Sequence, residues 1–221
     1  LFNIGKIYEQ IEHNDSLYPN PVVRGNFQWQ GGVQDTKVIF HPDSRGRWYV
    51  CWMPDKDERS VLRIERGKYV PPNTHMGCGG VDSYDLDATV DSRGSKGACH
   101  IYNKFNMSDA SNMFVAEYAS RPPMAKIFYE DVLMAAVFYG YPLLIENNKY
   151  GIVRYFESRG YDGYVMDRPE HLRAANSSVN VKTKGIPSNS QDVIQAHASA
   201  IEDYVHNYVG FNEDGAFFFF F

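Results

Sequence analysis

From residue 76 onward the period of the apolar positions changes repeatedly, and each change marks an element. Residues 76–82 form a glycine-rich run ending in Asp82, residues 97–105 alternate, and residues 114–119 do so again; all three read as strands. Over 122–139, Met124, Ile127, Phe128, Leu133, Ala136 and Val137 keep helical spacing, with Pro122 and Pro123 suited to the first turn and Gly140 to the end. Residues 142–145 are wholly apolar, as in a strand covered on both faces. Residues 150–158 predict a helix closed by Arg159-Gly160, and 164–166 a further short strand. Residues 190–209 predict a last helix with Ile194, Ala198, Ile201, Val205 and Tyr208 on one face, Ser190 and Asp192 favouring its start.

The first third is less regular. Residues 1–11 carry a weak helical pattern (Ile4, Ile7, Tyr8, Ile11), and residues 37–40 and 48–52 read as strands. The turn-rich segment 41–46 is expected to join those strands in a hairpin. Val70-Pro71-Pro72-Asn73 suggests a boundary. The expected organisation is therefore an N-terminal extension, residues 1–72, with a structural or docking role, and an α/β domain over 73–221. Three consecutive strands followed by helix, strand, helix, strand and helix predict a mixed sheet flanked by helices.

Composition narrows the class. The chain has 221 residues with 43% hydrophobic and 22% charged, which excludes disordered and collagen-like chains. No apolar run approaches the roughly 18 residues that span a bilayer, and no signal-peptide pattern is found, so a soluble chain is expected. Lys+Arg 22 against Asp+Glu 27 gives a net charge of -5, which argues against a nonspecific nucleic-acid coat but not against an enzyme whose metal site is built from carboxylates. Cys51, Cys78 and Cys99 are an odd number without paired spacing, favouring a reducing compartment. The start at Leu1 and the Phe217–Phe221 run suggest a fragment.

Two acids stand at the ends of expected central strands: Asp82 after Gly79-Gly80-Val81, and Glu146 after Leu143-Leu144-Ile145. Carboxylates about 4 Å apart repel by roughly 4 kcal/mol at an effective dielectric near 20, and a divalent cation relieves that repulsion. Oxygen-only donors favour Mg²⁺ or Mn²⁺ over zinc. On spacing alone the two are equally well read as solvated loop acids. Arg93 and Lys96, in the loop 91–97, and Lys182 and Lys184, before the last helix, are candidate phosphate contacts, although Gly and Ser also simply make such turns. A zinc site from His75, Cys78, Cys99 and His100 is disfavoured, because Cys99 and His100 are neighbours on a strand and point opposite ways. No GxxxxGK[ST] loop is present, so this chain is not itself an ATP-driven motor.

Gly80-Val81-Asp82-Ser83-Tyr84-Asp85, Leu144-Ile145-Glu146-Asn147-Asn148 and Val181-Lys182-Thr183-Lys184-Gly185-Ile186-Pro187 resemble the C-terminal nuclease domain of tailed-phage large terminase subunits. The segment 23–48 is similar to variants in crAss-like phages. The resemblance is strongest over 70–215. It implies a ribonuclease H-like sheet with an N-terminal hairpin-containing extension. It also implies a two-metal (Mg²⁺ or Mn²⁺) endonuclease that cuts concatemeric double-stranded viral DNA during packaging. By motif, Asp82 would be the carboxylate shared between the ions and Glu146 a ligand of one. One ion would activate the attacking water and the other would stabilise the leaving 3′ oxygen. Expected partners are viral DNA, the portal protein, the small terminase subunit and a preceding ATPase domain, in the host cytoplasm and transiently at the portal vertex. The family's third acidic motif has no match here: Glu202 and Asp203 lie on the preceding helix, and the missing acid is expected beyond Phe221. Alternatives are another ribonuclease H-like nuclease, such as a junction resolvase or an RNA–DNA hybrid cleaver, and a non-catalytic docking module of the motor.

Overall fold

A seven-stranded mixed sheet flanked by helices organises the chain. The computed structural model describes residues 22–85, 95–104, 110–169, 183–187 and 191–208, with residues 4, 5, 8, 9 and 12. The strands are β1 (Val23–Trp29), β2 (Val38–Pro42), β3 (Trp48–Val50), β4 (Arg63–Glu65), β5 (Lys68–Val70), β6 (Gly77–Asp82), β7 (Gly97–Asn103), β8 (Met113–Ser120) and β9 (Leu143–Ile145). The helices are α1 (Ala125–Tyr139), α2 (Gly151–Ser158) and α3 (Gln191–Tyr208). Across the sheet the order is β2-β1-β3-β8-β7-β6-β9, and β4 and β5 form a separate hairpin. No helix among the described residues is long and apolar enough to cross a membrane.

The strands β6, β7 and β8 form an antiparallel meander where the alternating pattern places them, and β9 joins β6 in parallel after the crossover through α1. The expected strand at 164–166 is reduced: a 3₁₀ turn, Asp162–Tyr164, leads to a single parallel bridge between Val165 and Leu143. The helical pattern of 1–11 falls mostly outside the described residues.

The helix α1 is buried nearly all round, from Asp131 through Tyr139 without a break, as expected of a helix packed on more than one side. It lies on the sheet face formed by Phe27, Trp48, Val81, Cys99, Ile101 and Tyr118. Phe27 is the hub of an aromatic cluster, with ring centroids 4.8 Å from Phe138, 5.3 Å from Trp48 and 5.1 Å from Phe40. Each such pair adds about 0.5–1.5 kcal/mol beyond the area it buries.

The N-terminal hairpin differs from the expected one. The strands β2 and β3 do not pair with each other; both pair antiparallel with β1, on opposite sides of it. The chain therefore crosses over β1 between Pro42 and Trp48. Two glycines make that crossing possible: a Cβ on Gly46 would sit 2.3 Å from the Gly25 carbonyl oxygen, and one on Gly25 would sit 2.4 Å from that of His41. The turn 41–46 therefore carries the chain across a strand instead of reversing it. The strand β3 in turn pairs with β8, so residues 23–50 continue the same sheet across the boundary expected at 72. Arg47 strengthens the junction with two hydrogen bonds to buried Asp131, at 2.7 and 2.9 Å.

Candidate active site

Strands β6 and β9 lie side by side with Val81 opposite Ile145, and the next residue on each is an acid. The Glu146 N–H donates to the Val81 carbonyl at 2.8 Å, which fixes the backbone from which its side chain departs. The register therefore sets Asp82 and Glu146 on adjoining strand ends, where each carboxyl group acts on the other. Burial, then the hydrogen bond with Glu146 and its charge, push the Asp82 carboxyl up to about 6, while Lys149 pulls it back. A proton held between the two groups relieves their repulsion; a divalent cation does so at higher pH. Asn148 Nδ2 donates to Glu146 Oε1 at 2.6 Å and orients that carboxylate.

The segment 183–187 buttresses this corner. Ile186 bridges Glu146, and Asn147 donates from its backbone N–H to Ile186 O and from Nδ2 to Lys184 O, both at 2.8 Å. Gly185 has φ +68°, and a Cβ there would lie 2.3 Å from the Ile145 carbonyl oxygen, so only glycine lets the segment approach so closely. Lys184 Nζ donates to Val165 O at 2.7 Å and lies 3.1 Å from Asp167 Oδ1. Its charge is thus spent beside the site, joining this segment to the 165–167 stretch. Lys96 is exposed at the start of β7. Arg93 and Lys182 lie outside the described residues.

Several contributors were not read from the sequence. Asp85 accepts from Tyr129 Oη at 2.7 Å and from the first N–H of α2, Gly151, at 3.3 Å, so it caps that helix. Asn147, Asn148, Lys149 and Asp167 also shape the corner. An amide two residues beyond a candidate acid was the available signal for Asn148; the Asp167–Lys184 contact had none. Cys99 is fully buried on the α1 face and the His100 side chain is 43% exposed on the other, so the two do face opposite ways. Glu202 and Asp203 are exposed on α3. Their neighbour Tyr204 packs on Tyr102, which is four residues, or roughly 13 Å, along β7 from the Ala98 that pairs with Asp82.

Among the described residues no cluster of three or more His, Cys, Asp or Glu side chains could hold a metal ion. Asp82 and Glu146 offer two hard oxygen donors whose mutual repulsion fits Mg²⁺ or Mn²⁺ chemistry better than zinc. No protein-family model, curated protein or solved structure matches the chain.

Proposed function

We propose that this chain is a ribonuclease H-like, metal-dependent endonuclease, and that it serves as the DNA-cutting part of a phage genome-packaging terminase. The observation that carries the reading is the carboxylate pair at the adjoining ends of two parallel strands, β6 and the edge strand β9, each acid acting on the other. Three antiparallel strands, with a fourth parallel to the first and a bridge at Val165 beyond it, support the same reading. A divalent ion held by Asp82 and Glu146 would supply Lewis acidity at a phosphoryl oxygen and a water of lowered pKa. The chain's own residues orient Glu146 through Asn148 and favour ionisation of Asp82 through the positive charge of Lys149. Viral double-stranded DNA would be the substrate. The portal protein, the small terminase subunit and an ATPase domain would be the partners, in the host cytoplasm.

Plasmid nicking in Mn²⁺ tests the reading. Nicking that is lost in both Asp82→Ala and Glu146→Ala supports it, and nicking that persists in both removes the site. Side-by-side cleavage of duplex DNA, RNA–DNA hybrid and four-way junction decides among the ribonuclease H-like activities.

A further inference from the structure

The sheet face opposite α1 carries a register row that runs from β9 to β1. Leu144 pairs with Gly80, Gly80 with His100, His100 with Glu117, Glu117 with Tyr49, and Tyr49 with Arg24. Side chains alternate along a strand, so all of these belong to the face that also carries Asp82. The adjacent row is Asp82, Ala98 and Ala119. The helix α3 leaves this part of the face open. Gly80 is exposed, a Cβ there would meet nothing within 4 Å, and the Tyr49 side of the row is also open, Tyr49 being 39% exposed.

At the far end the Arg24 guanidinium lies 5.2 Å from the centre of the Tyr49 ring. Its Nε donates to Gly46 O at 2.6 Å, which aims the group, and among the described residues no carboxylate pairs with it. Lys96, exposed and two residues before the Ala98 that pairs with Asp82, lies toward the other end, also without a carboxylate partner among the described residues. Between them Glu117 lies 3.7 Å from His100 Nε2, and that hydrogen-bonding partner holds its carboxyl below the usual carboxylate range.

We infer that this face is the track for one strand of nucleic acid running from the carboxylate pair to Arg24 and Tyr49, with Arg24 binding a phosphate and Tyr49 stacking a base. The inference rests on the nuclease reading, because the track is continuous with the Asp82–Glu146 corner. Four strand-to-strand steps separate β6 from β1, roughly 19 Å at about 4.8 Å each. That is about five to six nucleotides of stacked strand at roughly 3.4 Å per nucleotide. A phosphate clamp and an aromatic platform are the two elements by which proteins hold a single strand without reading its sequence.

The test is fluorescence anisotropy with labelled single-stranded DNA of 4 and 12 nucleotides, in Ca²⁺, over a series of salt concentrations. Arg24→Gln and Tyr49→Ala should each weaken binding of the 12-mer by about fivefold to tenfold and leave the 4-mer, held at the carboxylate end, unchanged. Arg24→Gln should also reduce the salt slope by about 0.7, while Tyr49→Ala should not change it and Tyr49→Phe should restore binding. Ala119→Trp, an exposed position on the path, should block the 12-mer without touching either anchor. Parental 12-mer affinity in Arg24→Gln, Tyr49→Ala and Ala119→Trp overturns the track, even where Asp82→Ala abolishes nicking and the nuclease reading stands. Conversely, weakened 12-mer binding alongside undiminished nicking in Asp82→Ala and Glu146→Ala keeps the strand-binding face and sinks the active-site assignment.

Discussion

Two pairs of carboxylates in this chain are treated in opposite ways. On α1, Glu130 accepts from Trp29 Nε1 at 2.6 Å, Gln34 Nε2 at 3.2 Å, Arg159 Nη1 at 2.8 Å and the Tyr155 hydroxyl. Its neighbour Asp131 accepts twice from Arg47, and from Tyr118 Oη at 3.1 Å. At the sheet edge, Asp82 and Glu146 lean on each other, and a neutral asparagine amide stands where α1 has arginines. The fold neutralises the first pair internally, which makes it cement. The second pair has an amide hydrogen-bonded to Glu146 and the charge of Lys149 acting on Asp82 from a distance. Acid pairs alone do not mark function; what is hydrogen-bonded to them sets the two apart.

The sharpest break of this contrast is in activity. Alanine at Asp82 or Glu146 should lower Mn²⁺-dependent nicking by at least about a hundredfold, roughly 2.7 kcal/mol of barrier, while alanine at Glu130 should not. Stability should respond in the reverse sense. Arg47→Ala leaves Asp131 buried without its cation and should cost about 3 kcal/mol in urea unfolding, whereas Arg47→Met with Asp131→Leu should recover most of that loss. A smaller effect is expected at Asn148. Its alanine variant should bind Mn²⁺ about tenfold more weakly by calorimetry with unchanged melting in metal-free buffer.

The smallest effect is a pH-dependent gain. The folded Asp82 carboxyl titrates near 6 against 3.8 for an ordinary aspartate, so the folded state holds that proton more tightly than the unfolded chain. The stability this provides is complete below 3.8 and is lost as pH rises through 6. Asp82→Asn should therefore stabilise the metal-free protein at pH 8, by up to about 1 kcal/mol after solvent screening, and have little effect near pH 4. Melting curves at the two pH values check the sign.

Elements with a clear period were legible to within one to three residues: β6, β7, β8, α1, α2 and α3 all sit where their apolar spacing puts them, although α1 starts at Ala125, so Pro122 and Pro123 precede its first turn. Asp82 and Glu146 were legible as candidates because a buried apolar strand ending in an acid is a local pattern, and the parallel register then brings the two together. What could not be read is what depends on distant partners. The alternation of Gly25, Phe27 and Trp29 inward on β1 is hidden among polar neighbours, and without β1 the segment 41–46 looks like a hairpin turn. Lys184 looks like a free cation until Asp167, 17 residues earlier, is found beside it. Arg24 and Tyr49 gain significance only through a register that spans five strands.

The crossing of β2 and β3 over β1 also decides what the sheet shows its surroundings. Without it the sheet would end at β8, eight residues of bare backbone donors and acceptors ready to take up a strand from another molecule. Because Trp48 and Val50 pair with Tyr118 and Ala116, that edge is sealed, and the new border is β2, five residues long and closed by Pro42, which has no N–H to offer. Residues 23–50 thus serve as a selvage, a finished border that keeps copies of this chain from being sewn together along that side.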